Sequence, residues 1–86
     1  MTVKTASVTE VQILVGAWNA KNQMVIYDGA GVPLESTVII TAGGDAKMAL
    51  VTLDITKYTG GDTITIAFVP TESNGGNVSL TAVTVK

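Results

Sequence analysis

From Thr63 to Phe68 the chain alternates strictly, with Ile64, Ile66 and Phe68 on one side and Thr63, Thr65 and Ala67 on the other. A period of two is the pattern of a half-buried β-strand. Val78 and Leu80 alternate with Ser79 and Thr81 in the same way, but Val83 and Val85 continue in the opposite phase. That slip predicts a β-bulge near Ala82, or burial on both faces. Residues 11–15, 24–27, 38–40 and 48–53 are apolar at nearly every position. Between these segments lie clusters of Gly, Asn and Asp at residues 19–22, 28–31, 43–45, 60–62 and 74–77, which read as turns. No stretch carries a capped 3.6-residue apolar period, and Val, Ile and Thr dominate the segments between turns. The pattern predicts an all-β, antiparallel β-sandwich, jelly-roll or immunoglobulin-like, of about six to seven strands in one domain spanning residues 1–86.

Two expectations follow from that pattern. The last two strands should share an inward face made of Ile64, Ile66, Phe68, Val78 and Leu80, with Phe68→Ala costing about 3–5 kcal/mol if the ring is buried. The doubly apolar segments hold more apolar surface than one solvated face absorbs, in a chain small enough to sit near the stability limit. Five lysines do little to guard strand edges. The sequence therefore predicts a homo-oligomer, with Leu14 and Ile39 as candidate assembly-interface residues.

Composition narrows the chemistry. The 86 residues are 47% hydrophobic and 14% charged, with five lysines, no arginine, seven acidic residues and a net charge of −2. There is no basic footprint for phosphate, so nucleic acid is not an expected partner. The absence of Cys and His removes thiol nucleophiles, the usual zinc ligands and the commonest general base, so the sequence predicts no enzyme, no cofactor and no metal site. The glycine clusters lack phosphate-loop spacing. Asp28, Asp45, Asp54, Asp62 and Glu72 lack calcium-loop spacing and read instead as residues that cap turn amides. No apolar run approaches the ~18 residues of a membrane span, and membrane insertion is not expected. Trp18 ends an apolar strand beside a polar run, a position at the core rim or on the surface. It is the candidate ligand-binding residue, with carbohydrate as the ligand class, because a flat ring stacks on sugar faces.

Residues 11–20 (VQILVGAWNA), 27–33 (YDGAGVP), 53–66 (LDITKYTGGDTITI) and 75–85 (GGNVSLTAVTV) together resemble jelly-roll β-sandwich modules appended to bacterial secreted glycoside hydrolases and adhesins. The pattern of those modules reads roughly as a strand, VGxWN, a turn, SDGSG, strands, AGxTLTVxW and GGNVxLxAxxV. The resemblance covers most of the chain, from about Val11 to Val85, and fixes no ligand-binding residue. Full modules of this kind carry further strands ahead of the VGxWN-like segment, where this chain has only Met1 to Glu10. The resemblance thus implies either a smaller self-sufficient sandwich or a second copy that supplies the missing strands.

Two functions fit these readings. One is a structural or assembly module that self-associates through β surfaces, as in a phage or virion decoration, an extracellular fibre or an engineered oligomer. The other is a carbohydrate-binding or adhesive accessory module of a bacterial secreted or cell-surface protein. Both place the chain outside the cell or on a virion surface, or in the cytoplasm if it is an engineered oligomer.

Overall fold

The computed structural model describes residues 1–58, 61–72 and 75–86; Gly60 and Asn74 of the expected turns lie outside these. Seven strands form: β1 (Thr2–Lys4), β2 (Glu10–Trp18), β3 (Lys21–Asp28), β4 (Pro33–Thr41), β5 (Lys47–Asp54), β6 (Thr63–Thr71) and β7 (Asn77–Val85). They make two antiparallel sheets, one of four strands in the order β1-β6-β3-β4 and one of three in the order β5-β2-β7. The layers face each other with the core between them, a β-sandwich as the alternation predicts. Seven strands split four and three is the strand count of an immunoglobulin-type sandwich, one short of the eight in a jelly roll.

Each central strand contributes one inward row. Val11, Ile13 and Val15 of β2 are fully buried, and so is Ile26 of β3; Met24, Ile64, Ile66, Val51 and Leu53 join the same cluster. The bulge expected near Ala82 is present. Leu14 pairs with Ala82 but Val15 pairs with Leu80, which leaves Thr81 as the extra residue. The extra residue restores phase, so Val78, Leu80, Val83 and Val85 all pair with the inward residues of β2 and share their face. The inward face expected for the last two strands exists, but β6 and β7 contribute to it from opposite sheets. Ile64 and Ile66 are buried, Phe68 and Val78 are half-buried and Leu80 is exposed, because the three-residue β1 supplies only Val3 to that flank.

The turns differ from simple hairpins. Only the segment between β3 and β4 joins neighbours in one sheet; the other connections between strands carry the chain across to the opposite layer. In that hairpin Gly31 N donates to Asp28 O at 3.1 Å, and the Asp28 carboxylate accepts from Ala30 N and Val32 N, both at 2.9 Å. Gly31 takes φ +84°, which an L side chain resists. The polar run at residues 19–22 is not all turn. Lys21 and Asn22 already belong to β3, and Asn22 points into the core, where its Nδ2 donates to Gly16 O of β2 at 3.0 Å and ties one sheet to the other.

The depth of each side chain sets a measurable order. Ile66→Ala should cost about 2–5 kcal/mol in urea unfolding, since the residue is sealed in the core. Phe68→Ala should cost less, because its ring is only half-buried. A larger loss at Phe68 than at Ile66 would contradict this core.

Candidate functional site

Side chains alternate along β2, so the burial of Val11, Ile13, Val15 and Ala17 sends Leu14, Gly16 and Trp18 to the outer face of the three-stranded sheet. Gly16 lies in register with Met48 of β5 and Ser79 of β7, and Trp18 with Asn77. Gly16 leaves no side chain on this row; a Cβ there would sit 2.7 Å from Ser79 Oγ. The result is a shallow groove of about 290 Å³, lined by Gly16, Trp18, Lys47, Met48, Asn77 and Ser79 among others. Trp18 is 42% exposed, and its indole Nε1 donates to Gly44 O at 3.0 Å, which fixes the ring. Two turns grip the same strand end. Asn19, at φ +48°, donates its N–H to Gly43 O at 2.8 Å, and Gly76 packs so close that a Cβ would lie 2.0 Å from Trp18 O. A fixed ring beside a hydroxyl and an amide is suited to stacking and hydrogen bonding. Trp18 thus stands on the surface, the second of the two positions its sequence context left open.

At the other end of β2, where Glu10 pairs with Asp54, a second cleft of about 310 Å³ is lined by Asp28, Leu34, Glu35, Lys57, Tyr58 and Thr63 among others. Three of its polar groups, Glu35, Lys57 and Tyr58, are engaged with one another. Tyr58 Oη donates to Glu35 at 2.9 Å, Lys57 Nζ lies 3.2 Å from the same carboxylate, and that ammonium sits 5.3 Å from the centre of the Tyr58 ring. The hydrogen bond from Tyr58, reinforced by Lys57, holds the Glu35 carboxyl below its ordinary value. Burial, and then the bond to Glu35, pushes the Tyr58 hydroxyl up. Asp54 caps the single 3₁₀ turn Ile55–Lys57 by accepting from Thr56 N at 3.0 Å, and its carboxyl is lowered by the Thr56 hydroxyl and amide. Asp28 and Asp54 therefore act as turn caps, as their sequence context suggests. Among the described residues no three His, Cys, Asp or Glu side chains come together as a metal site, and no helix is long and apolar enough to cross a membrane.

The two candidate interface residues separate in space. Leu14 lies on the outer face between Leu50 of β5 and Ala82 of β7, half-buried by them. Ile39 is the extra residue of a bulge in β4, opposite the step from Asn22 to Gln23, and packs against the core. Leu14 instead belongs to an outward apolar patch with Leu50, 62% exposed, and Met48, 56% exposed. Comparison with protein families, with characterised proteins and with solved structures finds no match to this chain.

The Glu35–Tyr58 bond joins residues 23 apart, and no local motif announces it. The aspartate two residues before Thr56 was the one available signal, since it marks the turn that presents Lys57 and Tyr58. A carboxyl lowered in the folded state stabilises fully above its ordinary value of 4.5 and loses that contribution as pH falls through the folded value. Tyr58→Phe should therefore lower the unfolding free energy measured in urea at pH 7, by about 1 kcal/mol or less because Glu35 is 39% exposed and water screens it. The gap should narrow at a pH below the folded value, where Glu35 has taken up its proton. An equal gap at both pH values would mean that the hydroxyl acts by packing alone.

Proposed function

We propose that this chain is a non-catalytic structural module that self-associates through its β surfaces. One observation carries the reading: Leu14, Met48 and Leu50 form an apolar patch on the outer face of the three-stranded sheet, at positions that parity forces outward. Contiguous exposed apolar groups of this kind mark association surfaces. Glu35, Lys57 and Tyr58 of the other cleft already bond one another, and the groove beside Trp18 is lined by groups that bind without taking or giving protons, apart from Lys47, whose Nζ is 3.3 Å from Thr41 O.

Sedimentation should report a mass that rises above 8.8 kDa with concentration. Leu14→Lys should lower that mass while the fold persists, since the residue is only half-buried on an outer face. Ile39→Lys should unfold the chain instead, because it places a charge against the core. A monomer at about 100 μM with cooperative unfolding intact would overturn the reading.

A second reading, a carbohydrate-binding accessory module, is supported by the fixed and exposed indole of Trp18 beside Asn77 and Ser79. Trp18 is the single tryptophan of the chain, so its fluorescence reports the groove directly. On this reading, oligosaccharides shift its emission saturably and Trp18→Ala abolishes their binding. Emission that stays unchanged across a panel of plant and bacterial glycans removes it.

A further inference from the structure

The two sheets present four open edges, and they differ in protection. β1 is three residues long; β4 starts at Pro33, carries Glu35 and is broken by two register shifts; β7 is broken by its bulge. β5 pairs with β2 over eight consecutive residues without a shift. Its inner stretch, residues 48–53, holds no charge, proline or glycine. Edges of that kind template pairing with another chain.

The ladder identifies which groups of β5 face the open side. Lys86 N donates to Glu10 O at 2.9 Å and Glu10 N to Lys86 O at 3.3 Å, so Glu10 exchanges both bonds on the β7 side. Alternation then directs the backbone of Gln12 and Leu14 at β7, and that of Val11, Ile13 and Val15 at β5. Ile55 N donating to Thr9 O at 2.9 Å fits the same sequence. Leu53, Val51 and Ala49 are thus bonded to β2, and the N–H and C=O of Met48, Leu50 and Thr52 point away from it. Leu50 and Met48 are also the most exposed large apolar side chains among the described residues.

Building on the self-association proposed above, we infer that β5 pairs antiparallel with β5 of a second copy about a two-fold axis at Leu50. The three residues with free backbone groups match one another in that register: Leu50 stands opposite the partner's Leu50, and Met48 opposite the partner's Thr52. All of these residues lie on the same outer face, so the sheet continues without a flip. Charge supports the same occupant. Lys47 and Asp54 stand at opposite ends of β5, and an antiparallel copy brings each lysine to the end of the partner strand that carries the aspartate. Eight residues at about 3.4 Å make an edge of about 27 Å, and pairing along it with the flanking side chains buries on the order of 800 Å² in total. An interface of that size is a reversible one. The two-fold closes on itself, giving a dimer with a continuous sheet β7-β2-β5-β5-β2-β7 rather than a fibre.

Directly bonded antiparallel residues have Cα atoms about 5.5 Å apart, within disulfide range, and the chain has no cysteine of its own. Leu50→Cys, oxidised at about 50 μM, should therefore cross-link to twice the chain mass, whereas Thr84→Cys on the exposed face of β7 should stay largely uncross-linked. Leu50→Lys should keep the β-type circular dichroism and move the monomer–dimer midpoint to at least about tenfold higher concentration, because like charges then meet at the axis. If the parent self-associates but Thr84→Cys cross-links as readily as Leu50→Cys, or Leu50→Lys leaves the assembly unchanged, the β5 pairing is wrong and self-association through another surface stands. A parent chain that remains monomeric overturns both.

Discussion

Val11, Ile13 and Val15 occupy alternate positions of β2 and are sealed between the two sheets with Met24, Ile26, Ile64 and Ile66. The parity of that one strand decides the rest. With these residues inside, Leu14, Gly16 and Trp18 must face outward, and the register with β5 and β7 sends Met48, Leu50, Ser79 and Asn77 to the same side. The groove beside Trp18 and the apolar patch at Leu50 are thus consequences of how the core is filled. Asn22 adds a directional tie at the same level, since its bond to Gly16 O couples the four-stranded sheet to the centre of the other.

A two-layer sandwich this small has a large share of edge. Two of its three-strand sheet's members are edge strands, and the opposite sheet ends in β1 and β4. Bulges restore apolar phase in β7 and let Ile39 pack against the core in β4, and each also interrupts an edge. β5 has neither bulge nor proline, and Met48 and Leu50 at its outward positions are apolar. The patch that supports self-association and the unguarded backbone that would direct it therefore meet on one strand.

Much of this was legible along the chain. The strict alternation of residues 63–68 announced β6, and the phase change between Leu80 and Val83 announced the bulge, because side-chain parity is a local property. What could not be read was which strands lie side by side. The glycine clusters mark turns whether the chain returns in the same sheet or crosses to the other, and all but the Asp28–Pro33 connection cross. Asn22 sits in a polar run that reads as turn, yet faces inward because β3 begins two residues earlier than that composition implies. The outward placement of Trp18 and the contact between Glu35 and Tyr58 depend on tertiary register, for which the spacing of residues offers no sign. Leu14 and Ile39 look alike in sequence and are both half-buried, yet the bulge in β4 packs Ile39 against the core while Leu14 lies on the outer face.

Amide hydrogen exchange resolved by residue, compared at low and high protein concentration, tests the central claim most directly. The N–H groups of Met48, Leu50 and Thr52 have no partner within the sheet, whereas those of Ala49, Val51 and Leu53 are bonded to β2 at any concentration. If β5 is where two copies meet, exchange at Met48, Leu50 and Thr52 slows as concentration rises while Ala49, Val51 and Leu53 stay protected throughout. Fast exchange at those three residues at every concentration, in a sample that sediments as an oligomer, would contradict the account.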